Sequence, residues 1–506
     1  MMVIFKQINN NRIISFIIIF LLISFGLTAK VHSYDLEKSV REFTLENGLK
    51  VLMLERHLSP TISLYIRHRA GAVDEISGRT GTAHLLEHMM FKGTKTIGTK
   101  NFKEEKQILD EIRRAGNALD MERAKGNTAD KEKLKRLSQQ LKNLQKRGKK
   151  WVVGNEIGRL YTENGGVSLN ASTGQDLTTY HISLPSNKIE LWARIESDRM
   201  TNPIFREFYS ERDVVMEERK QTTESVPARK LMEQFLASAF IAHPYRRPVL
   251  GWASDMRFLN IDYTKEFFNA YYAPNNTVIA VVGDISPDVT IDIIKKYFGK
   301  IPGHKLPLSH ITEEPEQKGE RRIELAYDAN PRITIGYHKP TLPSLDDYVF
   351  DVIDSILSRG RTSRLFKTLV EEKGIAESIN TANGIPGARF SNLFTIFATP
   401  RYPHTTSELE DAIYKELEKL KMEPVTTREL EKIKNQLKAD SIKGLNSNSG
   451  LASKLSYFEA VAGDFRYITR HIKVIEKITP EDIMRTAKKY FNQDNRTVAV
   501  LKRKNQ

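Results

Sequence analysis

Two histidines stand four residues apart in the run "GTAHLLEHMMFKGT" (81–94): His84 and His88, with Glu87 just before the second. On a helix, positions i and i+4 share a face, so both imidazoles can reach one ion. Small residues at Gly81 and Ala83 and apolar ones at Leu85 and Leu86 give the segment the spacing of a helix. Zinc accepts histidine nitrogens at about 2.0–2.1 Å and lowers the pKa of a bound water to about 7. Glu87 lies on the same side but outside the ligand pair, where a carboxylate can take the proton of an attacking water. The order His-x-x-Glu-His is the inverse of the commoner His-Glu-x-x-His. The rival reading is two core or surface histidines with a neighbouring acid.

Such a site needs a third protein ligand and leaves its fourth position to water. The 506-residue chain has no cysteine, so the third ligand is His, Asp or Glu. The helix-like stretch "ERDVVMEERKQTT" (211–223) offers Glu211, Glu217 and Glu218. Glu211 and Glu218 are seven apart and share a face, whereas Glu217 is turned about 100° from Glu218. One carboxylate can ligate while another orients a histidine from behind. Spacing alone does not choose between them, and ordinary helix-surface charge is the alternative.

The elements that position these residues alternate in period. From Glu42 to Ala70 the pattern is strand-like, with an Asn47-Gly48 turn. "GGVSLNASTGQDLTTYHISLP" (165–185) alternates again, helical patterns cover 189–199 and 211–223, and "NNTVIAVVGD" (275–284) suits a buried strand. "APNNTVIAVVGD" (273–284) returns as "NQDNRTVAVLKR" (493–504), and "PTISLYIRHRAG" (60–71) is echoed by "PRITIGYHKPT" (331–341). These echoes predict an α+β fold of two similar halves, each a sheet with packed helices. The expected organisation is an N-terminal half over 34–302, a linker over 303–320 rich in Pro, Gly and acids, and a C-terminal half over 321–506.

Residues 103–150 break the pattern. They hold 15 Lys/Arg against 8 Asp/Glu, a net +7 within a chain of net charge +15. Leu134, Leu137, Leu141 and Leu144 follow a 3-4-3 spacing, matched by Ile108, Ile112, Ala115 and Leu119. This predicts an inserted antiparallel helical hairpin. Its basic faces read as solvated surface or as a docking arm for an acidic partner or membrane.

At 58.0 kDa, with 40% hydrophobic and 28% charged residues, the chain has the length for two to four domains and is not a disordered one. The absence of cysteine excludes disulfides, a thiol nucleophile and cysteine-held clusters. Residues 1–33 carry Lys6, Arg12 and Lys30, no acid, and an apolar run from Ile13 to Leu27. That describes a secretory signal with a cut before Tyr34, or an uncleaved anchor. Either way the folded part is expected outside the cytoplasm, periplasmic or otherwise extracytoplasmic, with membrane contact only if the segment stays attached.

With these motifs in hand the chain resembles the pitrilysin-type zinc metallopeptidases, the family of insulin-degrading enzyme and mitochondrial processing peptidase. "GTAHLLEHMMFKGT", "LNASTGQDLTTYH" (169–181), "ERDVVMEE" (211–218) and "YAPNNTVIAVVGD" (272–284) occur in that family's order. The length and leader look most like half-size bacterial members, similar in architecture to the processing-peptidase β subunit. The resemblance implies one zinc ion held by His84, His88 and Glu218, Glu87 as general base, and Glu211 as the acid behind a ligand. It also implies a clam-shell of two halves and an edge strand at Asn170 and Ala171, where substrate adds as a further β-strand.

One departure stands out. Full-length members carry an Arg-x6-Tyr pair in the C-terminal half that grips substrate. Here alignment of 364–379 puts Val370 and Glu377 at those positions; a shifted alignment would let Arg361 or Arg364 contribute instead, and helix-end surface charge is the preferred reading of both. The expectation is a zinc endopeptidase of peptides or unfolded short proteins, acting with a homologous partner subunit or as a homodimer. The rivals are a non-catalytic binding subunit of the same fold and a polyanion binder using the basic hairpin. The leader and the lack of a nucleic-acid motif argue against a nucleic-acid partner.

Overall fold

The structure is a computed structural model describing residues 36–307 and 310–504; the leader read at 1–33 lies outside them. Among the described residues no helix is long and apolar enough to cross a membrane. Among the described residues, Leu36–Val40 contain one helical turn, Leu36–Ser39, and both sheets belong to the unit from Arg41 onward.

The fold is α+β with two sheets. The first contains β1 (Arg41–Thr44), β2 (Lys50–Glu55), β3 (Thr61–His68), β4 (Val167–Thr173), β5 (Thr178–Pro185) and β6 (Thr277–Gly283), in the order β1-β2-β6-β3-β5-β4. The second contains β7 (Arg321–Tyr327), β8 (Arg332–Lys339), β9 (Ala376–Ile385), β10 (Asn392–Pro400) and β11 (Arg496–Arg503), in the order β7-β11-β8-β10-β9. Leaving β1 aside, the two orders correspond strand for strand. β2 runs parallel to β6 as β7 does to β11, and the remaining pairs are antiparallel in both. The sequence echoes are β6 with β11 and β3 with β8. All seven residues of β6 are buried, as a central strand covered on both faces requires. Val51, Leu64, Ile279 and Val281 pack with Trp192 and Phe298 in one core. Ile333, Ile335, Val498 and Val500 pack with Ile353 and Phe394 in the other.

Six helices matter for the site: α1 (Thr82–Met89), α2 (Phe102–Arg123), α3 (Lys131–Gly148), α4 (Phe208–Arg219), α5 (Pro227–Ala239) and α6 (Asn448–Ala462). Each half lends a helix to the other half's sheet. α5 places Leu231, Phe235 and Leu236 among Leu393, Ala499 and Leu501. α6 lies on β3 and β6; there Arg67 Nε donates to Ser456 Oγ at 2.9 Å and Arg69 Nη2 to the Glu459 carbonyl at 2.9 Å. The segment expected as a linker is pinned too: the backbone N–H groups of Ile241, Ala242 and His243 donate to the Glu314 carboxylate.

The 103–150 segment folds as a helical hairpin, α2 and α3. Asn101 caps α2 by accepting from the N–H groups of Lys103 and Glu104, and Asp130 caps α3 in the same way. Its apolar stripe does more than close the hairpin. Ile108, Ile112, Leu119, Leu141 and Leu144 share one core with Leu85 and Met89 of α1 and Phe208 and Val215 of α4. Gly116 allows the close crossing, since a Cβ there would overlap the Tyr209 ring and hydroxyl. The hairpin therefore backs both helices of the site.

Arg206 locks this arrangement. Its buried guanidinium donates to both Glu105 carboxylate oxygens, at 2.8 and 2.9 Å, and to the carbonyls of Lys92, Thr94 and Ile97. Arg206→Met leaves the Glu105 carboxylate buried and unpaired, at a cost of about 3–5 kcal/mol. The urea midpoint should fall accordingly, and adding Glu105→Met should recover most of the loss. A single-variant loss below about 1 kcal/mol would contradict a shared lock.

Candidate metal centre

α1 begins at Gly81, where φ is +90° and a Cβ would collide with Met256 Sδ, so a larger residue is excluded. The buried Glu75 carboxylate accepts from the N–H groups of Gly81 and Ala83, at 2.9 and 2.7 Å, and so fixes the first turn. Leu85, Leu86 and Met89 are fully buried, which turns His84 and His88 toward α4.

There the Glu218 carboxylate meets both rings. Glu218 Oε1 lies 3.8 Å from His84 Nε2, and Oε2 lies 3.5 Å from His88 Nε2. The three donor atoms lie within 4.8 Å of one another. Ligands about 2.0–2.1 Å from a tetrahedral ion are about 3.4 Å apart, close to the 3.8 and 3.5 Å that separate Glu218 from the two imidazoles. Glu217 is exposed on another face and accepts from Gln221 at 3.2 Å. Glu211, two turns earlier on α4, is 3.0 Å from His88 Nδ1, and Lys92 Nζ lies 2.5 Å from its other oxygen. Glu87 is outside the donor set; Thr173 Oγ1 donates to it at 2.6 Å. Asn170 and Ala171 lie on β4, an edge of the first sheet, and line a pocket of about 300 Å³ together with Glu87, His88 and Glu211.

Burial sets the protonation pattern. Burial, then the charge of His88, pulls His84 down to about 4. Burial also pulls on His88, but the hydrogen bond and charge of Glu211, with Glu87 and Glu218, outweigh it and leave His88 above its ordinary 6.5. Burial raises the Glu87 carboxyl despite the Thr173 donor. Glu211 is held below the usual carboxylate range, because the His88 and Lys92 hydrogen bonds overcome its burial. Of the two imidazoles it is thus His88, not His84, whose proton competes with a metal ion as the pH falls. Zinc affinity should fall about tenfold per pH unit below the His88 pKa, with a slope of one proton. Competition with a chromophoric chelator between about pH 5 and 8 measures it; a slope of two would contradict the depressed His84.

Sequence reasoning missed Glu75, Lys92 and Thr173. Thr173 was within reach, because it lies two residues past Ala171 on the same face of β4. Lys92 and Glu75 carry no signal of their own, since their partners are fixed by the turns around α1.

The insulinase family (peptidase family M16) matches residues 50–122 and 124–252, and the M16 inactive domain matches residues 259–437. The zinc protease PqqE of Helicobacter pylori is 27% identical over 449 residues, covering 87% of each chain. The crystal structure of a protease from Helicobacter pylori superposes with a TM-score of 0.76 at 25% identity, over 92% of this chain and 99% of that one. The first half of the periplasmic protease PqqL from Escherichia coli superposes with a TM-score of 0.68 at 16% identity, over 92% of each chain. The chain belongs to the M16, pitrilysin-type, peptidase family.

Proposed function

We propose that this chain is a zinc-dependent endopeptidase that cleaves peptides or unfolded short proteins outside the cytoplasm. The observation that carries the reading is the approach of Glu218 to both His84 and His88 beside a carboxylate, Glu87, that is not part of the donor set. Zinc, when bound, supplies Lewis acidity toward water and the scissile carbonyl. Glu87 takes the proton of the attacking water and passes it to the leaving amine. Glu211 holds His88 through Nδ1 and fixes its ring. The free edge of β4 at Asn170 and Ala171 offers backbone groups to an extended substrate, which selects chains that can unfold. The apolar leader-like segment at 1–33 and the periplasmic relative support the location.

The reading includes a partner. By the family resemblance, Val370 and Glu377 take the positions of the Arg-x6-Tyr pair that grips substrate in full-length members. Arg361 and Arg364 are engaged with Glu371 and Glu429. A homologous subunit, or a second copy, supplies the missing groups. The test is cleavage of quenched-fluorescent unfolded peptides by the zinc-loaded chain, alone and with any co-encoded homologue that keeps Arg-x6-Tyr. Chelator-sensitive cleavage that rises about tenfold or more with the partner is expected. Full-rate cleavage by a lone monomer contradicts the partner. A zinc-loaded chain inert in both settings leaves the non-catalytic binding subunit.

A further inference from the structure

The outer face of α3 carries a feature that the zinc site does not use. Lys131, Lys135, Lys142 and Lys146 of α3, with Lys149 at its C-terminal cap, fall within about 60° of one another at 100° per residue. All five are exposed, and among the described residues none of their side chains makes an ion pair or hydrogen bond. Two carboxylates of the hairpin are occupied by its other cations: Glu122 by Lys125 and Lys133, and Glu111 by Arg147. Glu132, the sole acid in α3, lies to one side. The stripe runs about 27 Å at 1.5 Å per residue.

Its C-terminal end leads to the zinc pocket. After Lys149 the chain turns through Trp151 and pairs with the loop that follows α1: Lys100 N donates to the Trp151 carbonyl at 2.8 Å, and Val153 N to the Gly98 carbonyl at 3.0 Å. Val152, Val153 and Asn155 then line the pocket beside Glu87, His88 and Asn170. The stripe thus ends three residues before the pocket wall, and its length matches about eight residues of extended peptide.

We propose that this lysine stripe is an exosite for an acidic segment of the peptide substrate, continuous with the cleavage pocket. The inference rests on the peptidase reading and names its substrate class. Lysine ammonium groups without interleaved aromatics suit a carboxylate-rich chain, whereas single-stranded nucleic acid calls for stacking platforms. The stripe also lacks the large apolar residues with which an interfacial helix enters lipid.

The experiment compares two quenched peptides with one cleavable core, tailed with about eight Asp/Glu or with Gly/Ser, the tail placed at either end. The full chain and its K131Q/K135Q/K142Q/K146Q/K149Q variant are assayed, glutamine being a comparable helix former. At low salt the parent should show a KM about tenfold lower for the acid-tailed peptide. That ratio should fall to within about twofold in the variant and at about 1 M salt. Equal KM values in the parent, or a ratio that survives in the variant, overturn the exosite. Fluorescence anisotropy of the acid-tailed peptide on metal-free protein separates the two readings. Binding lost in the variant while neither peptide is cleaved retains the stripe and sinks the peptidase. Equal binding by parent and variant sinks the stripe whatever the cleavage. Stripe-dependent binding to phosphatidylglycerol vesicles without a peptide preference would assign the face to a membrane instead and overturn the proposal.

Discussion

Glu87→Gln is expected to bind zinc as the parent does and to turn over peptides about 10²-fold or more slowly. The substitution keeps size and shape, and its amide oxygen can still accept from Thr173, which now donates to Glu87 Oε2 at 2.6 Å. Glu87 is not among the three converging donors, so the metal should stay. What disappears is a carboxylate able to take and return a proton. The loss should therefore fall on kcat with little change in KM, because the pocket that binds substrate is unaltered. Metal analysis and steady-state kinetics on one preparation decide the matter. Near-parental turnover would overturn the assigned base, and loss of zinc would mean that Glu87 holds the ion.

His84→Ala is expected to lose the metal. It removes one of three donors, and the loss should exceed the roughly 10–100-fold weakening that follows removal of an outer partner. Glu211→Gln provides that comparison within the same protein, because Glu211 touches His88 Nδ1 rather than the site itself. After dialysis His84→Ala should carry well under one equivalent of zinc, while Glu211→Gln refills when zinc is in excess. His84 is buried, so the melting of both metal-free proteins is compared to separate ligand loss from unfolding. Stoichiometric zinc in dialysed His84→Ala would contradict its role.

The histidine pair was legible in the sequence because both imidazoles sit on one helix, where spacing alone fixes a shared face. The third donor of the cluster was not. Glu211, Glu217 and Glu218 are all plausible by spacing, and what separates them is how α4 rotates against α1, a rotation set by packing of Leu85 and Met89 with Phe208 and Val215. Family resemblance supplied the choice of Glu218 that the residues alone left open. The hairpin was legible from its leucine spacing and the matching stripe of Ile108, Ile112, Ala115 and Leu119. That its inner face would seat on α1 and α4 was not, since an apolar stripe announces a buried face but not its partner. The same holds for α5 and α6: nothing local tells that Phe235 packs against the second sheet or that Ser456 meets Arg67 of the first. The halves were legible because β6 and β11 repeat a pattern, and the correspondence extends to every strand pairing beyond β1.

The most direct test is anomalous diffraction at the zinc edge from crystals of the zinc-loaded full chain. One peak is expected, about 2.0–2.1 Å from His84 Nε2, His88 Nε2 and a Glu218 carboxylate oxygen. A peak elsewhere, or one that the two imidazoles hold while Glu218 stays out of reach, would contradict the account.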